Sequence, residues 1–195
     1  MSRVNICHEV KHSFCGDLPR CGRASLLPLV VVLAALMPAL FASAATPAPI
    51  KIAIFDFELE DYSAGAGLIG ETPDDAAQLK RVTNEARQLI AQSGRYSLVD
   101  VSRADAEPVK ARSLRTCSGC EADIALKLGA DQSFIGIIAR SSRTEYAVGF
   151  QIRDARDGAM IFKQQTELRM GTNDSWNRGA IRLIKNTLLD NQDQK

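Results

Sequence analysis

The N-terminus limits the fold more than any other part of the chain. The run "LLPLVVVLAALMPALF", Leu26 to Phe41, is apolar. It follows Lys11, Arg20 and Arg23 and leads into Ala42, Ser43 and Ala44. A basic segment, an apolar core and a small-x-small exit are the three parts of a secretory signal peptide. The run is shorter than a bilayer-spanning helix requires, and it carries Pro28 and Pro38. It is read as a signal peptide over residues 1–44, cleaved after Ala44. No cysteine follows the apolar core, so the lipid-attached form of the signal is not expected. What remains to fold, from residue 45 to 195, is long enough for one domain with a single core.

Composition then removes whole classes of chemistry. Both histidines, His8 and His12, lie in the leader. The exported chain therefore has no Ser-His-Asp or Cys-His nucleophile pair and no histidine-based zinc site. Four of the 24 basic residues and two of the 23 acidic ones also lie in the leader. The remainder carries a net charge of about −1, which gives no electrostatic drive toward a polyanion. No basic stripe interleaves with aromatics, and nucleic acid is not an expected partner.

Past a short tether, 45–49, the hydrophobic period switches repeatedly between two and 3.6. "IKIAIFDFEL", Ile50 to Leu59, alternates and is rich in β-branched and aromatic residues, so it predicts one strand. Thr72-Pro73-Asp74-Asp75 opens a helix, with a Thr cap, Pro at the first position and acids at the positive end of the dipole. Its stripe is Leu79, Val82, Ala86, Leu89 and Ile90, and Gly94 ends it. "YSLVDV" is a second strand. "SRADAEPVKAR" is a short, Pro-interrupted helix or turn. Ser118 and Glu121 have capping-box spacing before a helix that stops at Gly129.

"SFIGIIA", Ser133 to Ala139, is apolar on both faces and predicts a central strand. "EYAVGFQIRD" and "AMIFKQQTELRM" form a hairpin about Asp157-Gly158, with Met160, Phe162, Leu168 and Met170 inward. A last helix, capped near Asn173 or Asp174, carries Trp176, Ala180, Leu183, Ile184, Thr187 and Leu188 on one stripe. The expected order is β-α-β-(α)-α-β-β-β-α. The fold class is α/β (α+β): a mixed sheet of about five strands, parallel early and antiparallel late, with helices packed on it. The domain spans 50–190, and 191–195 is a frayed tail.

Cys117 and Cys120, spaced C-x-x-C, are the only cysteines outside the leader. Three readings stand. A thiol in the first turn of a helix feels the dipole, which favours a thiol-disulfide oxidoreductase in an exporting compartment. Against this, a loop rather than a strand precedes the motif, Glu121 and Asp123 oppose thiolate formation, and no proline follows Pro108. A metal site lacks its further ligands. The third reading, and the one adopted, is a structural disulfide that pins the loop to the helix start.

Other features carry less. Gly65, Gly67 and Gly70 match G-x-G-x-x-G, but no helix opens within the motif, so no dinucleotide cofactor is expected. Asp56, Glu58 and Glu60 would share one face of a continuous strand. They are weak candidates for a divalent cation, against the plainer reading of a solvated strand end. Trp176 and Arg178 are candidate partner-binding residues, since both types are favoured at binding hot spots. Trp176 has the competing reading of core packing, because it lies on an apolar stripe.

Three segments together carry a resemblance: "IAIFDFEL" behind a leader, "CSGCEADIALKLGAD", and "NDSWNRGAIRLIKNTLL". The chain resembles, over about 50–190, a bacterial family of exported proteins known only as domain of unknown function 2380. That resemblance implies no activity. More loosely, "IAIFDF", "ALKLGADQSFIGII" and the hairpin "RDARDGAMIF" look like the N-terminal domain of TolB, the curli-secretion lipoprotein and the penicillin-binding-protein activators. This implies binding to other envelope proteins without catalysis, as an analogy of fold.

The reading adopted is an exported, periplasmic accessory protein of the envelope. It is not an enzyme, takes no cofactor, binds a protein partner, and has no stable membrane insertion once the leader is removed. The alternatives are an oxidoreductase using Cys117 and Cys120, and a small-ligand carrier using loop 60–73.

Overall fold

Thr72 starts the longest helix as its sequence predicts. In the computed structural model, which describes residues 47–66, 70–142, 144–169 and 174–190, its hydroxyl accepts from the Asp75 amide. The Asp75 carboxylate in turn accepts from the Thr72 amide at 3.1 Å. This reciprocal cap satisfies two donors that a helix start otherwise leaves open. The described residues belong to one compact unit, 46–195. The leader, Asn173 and the tail lie outside the described residues.

The strands are β1 (Ile50–Ile54), β2 (Glu58–Asp61), β3 (Tyr96–Val99), β4 (Gln132–Arg140), β5 (Glu145–Asp154) and β6 (Met160–Arg169). The helices are α1 (Pro73–Gln92), α2 (Glu107–Lys110), α3 (Cys120–Lys127) and α4 (Asp174–Leu183). A 3-10 turn, Leu114–Thr116, precedes α3, and a π-helical stretch, Ile184–Leu189, continues α4. All six strands form one sheet, ordered β3-β1-β4-β5-β6, with β2 also on β4. β1 lies parallel to β3 and β4, and β2 parallel to β4. The β4-β5-β6 meander is antiparallel. The mixed sheet is the one expected, with β4 central.

Two apolar layers follow from strand alternation. On one face Ile52, Ile54, Phe134 and Phe150 pack against Leu79, Val82 and Ile90 of α1 and Ala180 and Leu183 of α4. On the other, Ala53, Phe55 and Ile135 pack against Leu114, Ile124 and Ala125. Gly179 lets α4 approach β6, since a Cβ there would press on the Leu168 side chain. The Thr187 hydroxyl donates to the Leu183 carbonyl at 2.6 Å within the π-helical stretch, a back-bond of the kind that bends helices. Arg95 donates to the Leu189 carbonyl at 3.1 Å and so satisfies an acceptor at the helix end.

The expected strand 50–59 is two strands. β1 leaves register at Ile54, opposite Phe134, and β2 re-enters at Glu58, opposite Ile137. Four steps on one chain meet three on the other, which is a bulge. Within it the Phe57 amide donates to the buried Thr83 hydroxyl at 2.9 Å, and the Phe57 ring lies where a Cβ on Gly136 would be. Asp56, Glu58 and Glu60 therefore do not alternate along one continuous face. Asp56 sits exposed in the bulge and Glu58 is buried.

Two other expectations change. Ser118 and Glu121 do not form a capping box. Gly119, at φ 103°, holds the cap position of α3 without a side-chain bond, and Glu121 turns inward. Met160 is exposed rather than inward, because a register shift between Ile152 and Arg153 breaks the alternation beside the hairpin turn. Among the described residues, no helix is long and apolar enough to cross a membrane.

Candidate functional site

β1 and β3 are parallel neighbours, so their carboxyl ends open on the same side of the molecule. Open α/β sheets hold ligands in the crevice beyond such ends. Here that crevice is a cleft of about 610 Å³. Its apolar lining includes Ile54, Val99, Val101 and Val109, and Asp56, Glu58, Arg87, Asp100 and Arg112 are its charged groups. The connection from Asp100 through Leu114 supplies much of the wall.

That connection is held by a buried carboxylate. Glu58 is 2% exposed. Its Oε1 accepts from the Leu114 amide at 2.8 Å. Its Oε2 accepts from the Arg115 amide at 3.1 Å and from Arg115 Nη1 at 3.0 Å. Burying a charge is tolerable when it is paired and hydrogen-bonded in this way. Arg115 also donates to the Arg112 carbonyl, and Arg112, at φ 50°, reaches back to Glu71 and to the Phe57 carbonyl. At the rim Arg87 donates to the Ile54 carbonyl at 2.7 Å and pairs with Asp56 at 3.1 Å. Asp100 accepts from the Ser102 hydroxyl and from the Ser102 amide, and these bonds, the hydroxyl's first, hold its carboxyl below the usual range.

The candidate cation ligands are thus already engaged. Asp56 faces Arg87 and Glu58 faces Arg115. Glu60 bonds the Tyr62 phenol, whose pKa is raised by that bond. The three do not converge on one point. Among the described residues, the group with metal-ligand proximity is Cys117, Cys120 and Glu121. Its sulfurs are placed as a disulfide, and Glu121 is committed elsewhere.

Cys117 follows the 3-10 turn and Cys120 opens α3, with their Cα atoms 5.6 Å apart, inside the range a disulfide spans. The bridge links the end of the cleft wall to the helix. Beneath it Glu121, 1% exposed, accepts from Arg153 Nε at 2.9 Å and Gln151 Nε2 at 3.0 Å. Its second oxygen lies 4.0 Å from Cys117 Sγ. A carboxylate at that distance opposes a thiolate, which weighs toward a clip rather than a reactive pair.

Trp176 is 5% exposed and packs in the core, edge-on to Tyr146 at 5.4 Å between ring centres. Arg178, two residues on, is exposed. The structure does not bring these residues to the cleft. Beside loop 60–73, a second depression of about 570 Å³ is bounded by Asp61, Ser63, Arg140 and Tyr146. Residues 67–69 of that loop, including Gly67, lie outside the described residues.

Sequence reasoning missed the pairs Glu58–Arg115 and Glu121–Arg153. Their partners are 57 and 32 residues apart in the chain. The one signal available was local: each is a carboxylate set among apolar residues, where burial demands a cation.

None of the curated proteins compared matches the chain. Among solved structures it is similar to the C-terminal domain of LpoB from Salmonella enterica, at 13% identity and a TM-score of 0.45 over 65% of this chain and 87% of that one. It is similar to lipoprotein GNA1162 from Neisseria meningitidis, at 13% identity and a TM-score of 0.42 over 75% and 99%. It is also similar to TolB from Acinetobacter baumannii, at 15% identity and a TM-score of 0.38 over 72% of this chain and 28% of that one. At these identities the likeness is one of fold. Residues 50–188, from the first residue of β1 into the last helical turn, match the family described as "Protein of unknown function (DUF2380)", and the chain belongs to that family.

Proposed function

We propose that the protein is an exported accessory protein of the cell envelope that works by binding another protein, without catalysis. The cleft at the carboxyl ends of β1 and β3 is the surface it would present. One observation carries the reading: of the five charged side chains that line the cleft, all but Asp100 are tied to fixed ionic partners. Asp56 is paired with Arg87, Glu58 with Arg115, and Arg112 with Glu71. Groups held in this way stiffen a wall, whereas a general base or nucleophile must be free to exchange a proton. The leader supports export, and the fold likeness to lipoprotein GNA1162 supports an envelope setting.

Site-specific photo-crosslinking in intact cells tests this. A photoreactive residue at Leu98, exposed on the cleft lining, should give a discrete adduct with one envelope protein. The same probe at Leu126, exposed on α3, should not. The Leu98 adduct should disappear in a folded Val101→Glu variant. Equal labelling at both positions would sink the cleft assignment. Mixed disulfides accumulating on a Cys120→Ala variant would instead identify a thiol-disulfide exchanger.

A further inference from the structure

The sheet ends at β6. Among the described residues it pairs with β5 alone, and it runs ten residues, Met160–Arg169. Such an edge presents a row of backbone donors and acceptors ready for another strand. Natural edges are usually blunted by proline, by bulges, by shortness or by charged side chains, and of these β6 carries Lys163 and Glu167, which pair in the arrangement below. β6 is long, carries no proline, and keeps continuous register with β5 from Phe162 to Arg169.

We propose that the protein forms a symmetric dimer with a second copy of itself through antiparallel pairing of β6 with β6, centred on Gln165. A two-fold axis perpendicular to the sheet keeps both copies' apolar faces on the same side. It restricts the register to centres on a single residue. With Gln165 at the axis, Lys163 of each copy stands opposite Glu167 of the other, on the exposed face. On the core-facing side Phe162 stands opposite Leu168, and Gln164 opposite Thr166. Phe162 and Leu168 are half-buried side chains at the margin of the larger core, so their pairing would carry that core across the junction.

The neighbouring centres fail on the same residues. A centre at Gln164 sets Lys163 against Gln165 and leaves both charges without an opposite partner. A centre at Thr166 sets Lys163 against Arg169, like against like. Opposite charges facing across a strand pair stabilise it and like charges oppose it. The complementarity is self-directed, because one strand carries both charges, each two residues from Gln165. That favours a second copy over an unrelated strand. This inference does not depend on the cleft-binding reading.

Sedimentation velocity of the purified protein over a concentration series tests it. The wild type should pass from monomer to dimer as concentration rises. Lys163→Glu should weaken dimerisation by roughly tenfold or more, since each change acts twice in a symmetric pair. The swap Lys163→Glu/Glu167→Lys should restore it. Gln165→Cys should oxidise to a covalent dimer, because the two thiols meet at the axis. Gln164→Cys, which faces Thr166 of the other copy, should not. All these positions are exposed except Thr166, so the fold is retained. A monomer at every concentration would overturn the proposal. So would a dimer indifferent to the charge variants, or equal crosslinking at positions 164 and 165.

Discussion

Arg140, the last residue of β4, joins four elements. Its guanidinium pairs with Asp75 in the first turn of α1 at 2.7 Å, approaches Asp61 at the end of β2 at 3.6 Å, and lies 5.9 Å from the centre of the Trp176 ring of α4. Burial of the Asp75 carboxyl works against its ionisation. The bonds from Arg140 and Thr72 outweigh that and hold its pKa below the ordinary 3.8. A carboxyl with a depressed folded-state pKa contributes stability above its unfolded value and loses it as pH falls through the folded one. Between pH 5 and pH 2 the wild type should therefore lose more stability than Asp75→Asn, as urea midpoints at each pH will show. Equal losses would mean the pair is inert. Trp176 is the other residue on this node. Its ring is buried against Tyr146, and Trp176→Ala should cost about 3–5 kcal/mol in a chemical melt. An unchanged midpoint would return the ring to the surface and revive its reading as an anchor.

At the scale of elements, two short devices shape the region around the cleft. The first is the bulge between β1 and β2. The Phe57 ring occupies space that only a glycine at 136 leaves open. Gly136→Ala forces the ring aside, and overpacking of this kind costs roughly 1–3 kcal/mol. Phe57→Leu in the same chain should recover part of the loss, and failure to recover it would place the strain in the backbone instead. The second is the clip ahead of α3. The Cys117→Ala/Cys120→Ala variant should still fold and lose about 2 kcal/mol or less, because the closed loop is short. The Glu58 contacts to Leu114 and Arg115 remain to hold the wall. As isolated, the wild type should resist alkylation until reduced. A loss of cooperative unfolding in the double variant would show that the clip, rather than Glu58, positions the connection.

At the scale of the whole molecule, the leader and the fold make separate claims. Mass spectrometry of the exported protein should find an N-terminus near Ala45, and a full-length chain in the membrane fraction would overturn the cleavage reading. The folded part depends on a sheet covered on both faces. α1 and α4 lie on one face, and α3 with the 100–116 connection lies on the other. The cleft opens where that second cover passes the strand ends.

Local pattern was enough for the elements other than the β1–β2 break. A run apolar on both faces marked β4, period-two runs marked β5 and β6, and the Thr72 cap with the stripe from Leu79 to Ile90 marked α1 nearly to the residue. These signals are legible because hydrogen-bond geometry and one-sided burial repeat within a few residues. The parallel-then-antiparallel sheet followed from the order of the elements, βαβ alternation early and a meander late. Three-dimensional packing was needed wherever a side chain answers to a distant partner. Asp56, Glu58 and Glu60 read as one acidic face, yet a single extra residue opposite β4 exposed the first and buried the second against Arg115. Glu121 had capping-box spacing and instead turned inward to Arg153, 32 residues away. A buried carboxylate needs a countercharge as well as hydrogen bonds, and a guanidinium supplies both. Which guanidinium it meets depends on strand register and helix placement, and these exist only once the sheet has formed.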